Sequence, residues 1–126
     1  MPSYDANEFR PPAPVAQVTI RSPKTGAIVE NVSMLLDTGA DVSLLPRASV
    51  VALIDGDPTV GEYVLESFDG TRSTAPVVRL EILLLGKSFR GQFLLIDSEH
   101  GILGRNILNS LAIHFDGPAL TWNLRS

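Results

Sequence analysis

Residues 35–46 read LLDTGADVSLLP. The apolar run Met34–Leu36 stops at the carboxylate of Asp37, Thr38 and Gly39 follow at once, and the apolar pattern resumes at Val42. A carboxylate at the end of a buried segment loses solvation and needs hydrogen-bond donors around it. Gly39 permits a turn that a Cβ would block and lets the turn's N–H approach the acid. Thr38 adds a hydroxyl that can bond backbone or a neighbouring chain. The stretch therefore presents an oriented, partly desolvated acid. For the bare tripeptide Asp-Thr-Gly, an ordinary turn between strands is the competing reading.

Around this stretch the pattern is mainly β. Val15–Arg21 and Ala27–Val32 are expected as strands, joined by turn chemistry at Ser22–Gly26. Met34–Leu36 is expected as a short buried strand leading into Asp37, and Val42–Leu45 as the next. Pro46 suits the first turn of a helix, so Arg47–Ile54 is expected to be helical and to close at Asp55–Pro58. Asp69-Gly70 between Tyr63–Phe68 and Thr71–Val78 is a strong hairpin signal. A second hairpin is expected from Arg79–Leu85 and Phe89–Ile96, and a third on either side of Asp116-Gly117-Pro118. Gly104–Leu111 has a helical look. Short strands at regular spacing point to an all-β barrel or sandwich.

The chain has 126 residues, 44% hydrophobic and 19% charged, which suits one globular domain. Residues 1–14 are polar, hold four of the nine prolines, and are expected to form a flexible arm ahead of a domain spanning 15–126. The net charge of −4 and the scattered basic residues argue against a nucleic-acid partner. The absence of cysteine excludes a disulfide scaffold and a thiol nucleophile. No signal peptide or membrane helix is expected, which makes a cytoplasmic protein without a membrane partner the expectation. Neither a cofactor nor a metal is expected. Asp97–His100 (DSEH) has metal-ligand residue types, but the sequence shows no matching ligands elsewhere, so a solvated loop is the expected reading.

LLDTGADVSLLP resembles the active-site segment of the retropepsin-like aspartic peptidases, and GILGRNILN (Gly101–Asn109) resembles that family's later Gly-Arg-Asn element. The order agrees, and the resemblance covers about Val15 to Leu124. It implies a closed β-barrel with a flap hairpin and one or two short helices, assembled as a two-fold homodimer. It implies that Asp37 is the catalytic aspartate, with Thr38 tying the two active-site loops together across the dimer. Gly39 and Ala40 would line the substrate backbone. Asp41 would contact substrate main chain and pair with Arg105. The flap would be Tyr63–Val78, its tip near Phe68, Asp69, Gly70 and Thr71. Leu35, Val42, Ile96 and Ile102 would wall the cleft and favour bulky apolar side chains. The terminal ALTWNLRS, with Trp122, would serve the dimer interface or only a hairpin within its own subunit.

No second apolar-Asp-Thr/Ser-Gly segment exists in the chain. Aspartic peptidases need two carboxylates sharing one proton, so one chain carries half a site, and a symmetric dimer completes it. The expected function is aspartic endopeptidase on polypeptide substrates. The alternative is a catalytically weak dimerisation or peptide-binding module, motivated by the polar flap SFDGTRST.

Overall fold

The computed structural model describes residues 2–54, 61–67 and 69–125, with backbone only at 61–63. The expected helix closure at Asp55–Pro58 and the flap residue Phe68 lie outside the described residues. The elements run β1 (Tyr4–Asp5), β2 (Ala13–Arg21), β3 (Ile28–Leu36), β4 (Leu44–Pro46), α1 (Arg47–Ile54), β5 (Gly61–Glu66), β6 (Arg72–Leu84), β7 (Lys87–Ile96), β8 (Gly101–Leu103), α2 (Arg105–Leu108), β9 (Ile113–Asp116) and β10 (Thr121–Leu124). The fold is mainly β, with two short helices. Eight strands form one sheet in the order β1-β2-β3-β8-β4-β7-β6-β5, β2 also pairs with β6, and β9 and β10 pair separately. Among the described residues no helix is long and apolar enough to cross a membrane.

Period-two patterning accounts for two strands longer than expected. In β3 the side chains of Val32, Met34 and Leu36 are buried, whereas Ser33 and Leu35 on the other face are half-buried. Ser33 is thus an alternate-face residue of a continuous strand, not a break. In β6, Val78, Leu80, Ile82 and Leu84 are buried in the same alternation. This strand changes partner at Val77, which pairs with Gly61 of β5 and with Leu94 of β7. One strand therefore serves both of the hairpins expected on either side of Val78.

The main core joins β2, β3, β6 and β7 with α1, α2 and Trp122. Helix α1 buries Val50 and Leu53, three residues apart on one face, and leaves Val51 exposed. Trp122 is buried, and its Nε1 donates to the Val15 carbonyl at 2.9 Å. β10 pairs with β9 in register Trp122 to Phe115, so this terminal strand packs within its own subunit. The N-terminal segment is tied to the same region. Tyr4 pairs with Pro14, Ser3 bridges Thr121, and Trp122 N–H donates to the Pro2 carbonyl at 3.2 Å.

Candidate active site

Strands β3 and β8 run parallel, with Leu35 opposite Ile102 and Leu36 opposite Leu103. Parallel neighbours end on the same side of a sheet. The segments that follow them, Asp37–Ala40 and Gly104–Asn106, therefore emerge side by side although far apart in sequence. Asp37 N–H donates to the Leu103 carbonyl at 3.0 Å and continues the ladder one residue beyond both strands.

The loop after Asp37 is built on its carboxylate. Gly39 N–H donates to Asp37 Oδ1 at 2.9 Å, and Ala40 N–H donates to the Asp37 carbonyl at 3.2 Å. A Cβ on Gly39 would lie 3.1 Å from Oδ1, inside ordinary contact distance. Asp37 itself is half-buried at the mouth of the sheet, and Thr38 and Gly39 are exposed.

The second segment braces the first. Arg105 N–H donates to the Ala40 carbonyl at 2.8 Å, and Arg105 Nη1 donates to the Thr38 carbonyl at 2.7 Å. The guanidinium thus holds loop backbone in place of the expected pairing with Asp41, and no Asp41–Arg105 ion pair occurs among the described residues. Asp41 is exposed, so an ion pair there would add little. Gly104 is buried under this loop. A Cβ there would collide with the Val42 carbonyl and lie 2.9 Å from the Ala40 carbonyl. Only glycine permits so close a crossing.

Ser43 is the residue that sequence reasoning passed over. Its buried Oγ accepts Gly104 N–H at 2.9 Å and lies 2.7 Å from Asn106 Oδ1, to which it donates. It therefore links β4 to both ends of the Gly104–Asn106 turn. The signal was available, as Ser43 is the one polar residue inside the apolar run from Val42 to Pro46. Buried hydroxyls are ordinarily hydrogen-bonded.

A second, smaller apolar cluster lies apart from the main core. Leu44, Ala75 and Leu94 are buried, with Val42, Leu65, Val77, Ile96 and Ile102 packed half-buried against them. Three of the four expected wall residues, Val42, Ile96 and Ile102, meet here; Leu35 lies outside the cluster. Leu65, Ala75 and Val77 come from the hairpin β5–β6, which joins that hairpin, from Val77 at its base to Leu65 beside the last strand pair, to the strands beside Asp37.

At the hairpin tip Asp69 and Gly70 are exposed. Asp69 Oδ1 accepts Thr71 N–H at 2.9 Å, Ser67 N–H donates to the Thr71 carbonyl at 2.9 Å, and Gly70 N–H to the Ser67 carbonyl at 3.0 Å. Bonds from the Thr71 hydroxyl, and then from its amide, hold the Asp69 carboxyl below the usual carboxylate range.

The fold has counterparts of known structure. The EIAV protease bound to the inhibitor HBY-793 superposes with a TM-score of 0.56 at 26% identity, over 78% of this chain and 86% of that one. The chain has the retropepsin-like fold. The simian foamy virus (mac) protease matches with a TM-score of 0.51 and 14% identity, over 75% of this chain and 91% of that one. The foamy viral protease–reverse transcriptase in complex with RNA/DNA hybrid matches at 0.52 and 17%, over 76% of this chain but 12% of that one. At these lower identities the likeness concerns the fold. No family model matches the sequence.

Proposed function

We propose that this chain is an aspartic endopeptidase that works as a two-fold homodimer, with its strand ring closed into a barrel. The observation that carries this reading is the Asp37 corner. A carboxylate is oriented by Gly39 N–H on a loop whose carbonyls are held by Arg105, in a fold shared with the EIAV protease. The chain supplies one such carboxylate, so a second copy across a two-fold axis would supply the other.

Two like charges that close do not both ionise, and the pair shares one proton. The ionised Asp37 takes a proton from water as the water oxygen attacks the substrate carbonyl carbon. The protonated partner's Asp37 donates its proton to the carbonyl oxygen. The tetrahedral diol then collapses: the C–N bond breaks as the protonated Asp37 gives its proton to the leaving amine, and a diol hydroxyl gives its proton to the ionised carboxylate of the pair, which leaves the pair singly protonated again. No covalent enzyme intermediate forms. The cluster of Val42, Ile96, Ile102, Leu65 and Val77 supports a preference for bulky apolar side chains beside the scissile bond. Asp69 and Gly70 at the hairpin tip would cover the bound peptide.

The test is cleavage of a diverse peptide mixture from pH 3 to 7, read by mass spectrometry, with Asp37→Asn in parallel and sedimentation reporting the assembly. The expected result is cutting between apolar residues by the parent, and a folded, dimeric Asp37→Asn variant that does not cut. Equal rates in the two proteins would refute the assignment. The polar, exposed hairpin tip supports one other reading, a peptide-binding module with little turnover. That reading predicts a folded dimer that binds peptides, with affinity persisting in Asp37→Asn, and cuts none.

A further inference from the structure

Away from Asp37, three ligand-bearing side chains converge from distant parts of the chain. Glu8 comes from the N-terminal segment, and Glu99 and His100 from the loop between β7 and β8. One donor atom from each lies within 4.8 Å of the other two. The backbone is shaped to bring them together. The Asp5 carboxylate accepts the amides of Asn7 and Glu8 at 2.8 and 2.9 Å, which folds the segment into a turn carrying Glu8. Phe9 packs against the His100 imidazole, with ring centroids 5.1 Å apart.

The imidazole supplies an independent observation. His100 Nδ1 lies 3.1 Å from Ser33 Oγ, whereas Nε2 is shut off from solvent and has no hydrogen-bond partner. Buried polar atoms without partners are uncommon, and each asks for a cause. With Nδ1–H donating to Ser33, Nε2 carries the free lone pair. That is the tautomer in which histidine ligates metals, its ring oriented by a hydrogen bond at the other nitrogen.

We propose that His100 Nε2, Glu8 and Glu99 form a site for a divalent transition-metal ion, with zinc the best match, which fastens the N-terminal segment to the β7–β8 loop. One imidazole and two carboxylates form a mixed N/O donor set that suits zinc better than calcium or magnesium, which favour oxygen alone. Three protein ligands leave the fourth tetrahedral position to water. The ion's two positive charges balance the two carboxylates and give Nε2 its partner. Asp97–His100 looked like a solvated loop because its missing ligand, Glu8, lies near the other end of the sequence. The site is separate from Asp37 and does not depend on the peptidase reading.

The experiment is calorimetric titration of the chelator-treated chain with zinc chloride at neutral pH. Variants Glu8→Gln and Glu99→Gln are run beside it, with Glu30→Gln, an exposed β3 residue, as control. Both tested glutamates are exposed, so the variants should fold. The expected result is one ion per chain, a higher Tm with zinc, and binding weakened at least about tenfold in each of the two variants but not in the control. The Nε2 nitrogen resonance of His100 should shift on addition of zinc while that of His114 stays. Absence of stoichiometric binding would overturn the proposal. So would binding weakened less than about tenfold by both Glu8→Gln and Glu99→Gln, which would place the ion elsewhere, Asp37 included.

Discussion

The corner around Asp37 and the tip of the β5–β6 hairpin are both turns organised by an aspartate, but they are supported in opposite ways. At the corner, Asp37 N–H reaches Leu103, Arg105 reaches Thr38 and Ala40, and Ser43 reaches Gly104 and Asn106. Every one of these bonds joins segments distant in sequence. At the tip, the bonds among Ser67, Asp69, Gly70 and Thr71 stay within one turn. A group whose geometry decides chemistry needs supports that its own loop cannot provide. On the proposed function the hairpin is a cover, and a cover that opens and closes needs the reverse, a turn that holds its shape while it moves as a unit. Among the described residues, the strands of the hairpin, through Leu65, Ala75 and Val77, share apolar packing with Val42, Ile96 and Ile102, while Asp69 and Gly70 in the turn itself do not.

The comparison predicts that substitutions at the corner destabilise the whole domain, whereas those at the tip do not. Gly104→Ala should have the largest effect. Its Cβ has no room against the Val42 and Ala40 carbonyls, and parting the two segments should lower stability by about 3 kcal/mol and abolish cleavage. Near-parental urea unfolding would show that the crossing is looser than the geometry states. Ser43→Ala comes next. It strands a buried Gly104 N–H, so a loss of about 1–3 kcal/mol is expected, measurable as a lower Tm. Arg105→Lys should be milder in stability, about 1 kcal/mol, because the guanidinium is exposed. Its larger effect should fall on kcat, since the shorter ammonium of lysine would lose the guanidinium bond to the Thr38 carbonyl while the backbone bond to the Ala40 carbonyl stays. An unchanged kcat with a raised KM would assign Arg105 to substrate binding instead.

Much of the corner was legible in the sequence, because tight geometry forces residue type. Asp37, Gly39, Gly104 and Arg105 each answer a steric or hydrogen-bonding demand that few other residues meet. The start of helix α1 at Arg47 was legible from the preceding Pro46, and two of the three hairpin turns from their Asp-Gly pairs. Strand continuity was harder to read. Ser33 and Arg79 look like breaks when composition is scanned, and become alternate-face residues once the period of two is followed through β3 and β6. The partners of the N-terminal segment were not legible. Nothing in a polar, proline-bearing stretch states that Tyr4 pairs with Pro14 or that Glu8 meets His100. Such contacts depend on where the sheet brings the chain, not on local pattern. Trp122 was ambiguous for the same reason, and its burial under Val15 is a tertiary fact.

The smallest expected effect is at the hairpin tip, and it concerns pH rather than overall stability. Asp69 is held below the usual carboxylate range first by the Thr71 hydroxyl and then by the Thr71 amide. A carboxyl depressed in the folded state favours the folded turn at pH values above the ordinary aspartate range. That contribution disappears as pH falls through the lowered value, so the tip should stay ordered through mildly acidic conditions and loosen only in stronger acid. Thr71→Val removes the larger cause. The midpoint of the Asp69 carboxyl carbon resonance should then rise toward that of free aspartate, while the urea midpoint of the domain should stay within the error of measurement. A midpoint that does not move would mean that the backbone amide alone orders the turn. A fall in global stability would mean that the tip is braced to the body of the domain after all, and the contrast with the Asp37 corner would fail.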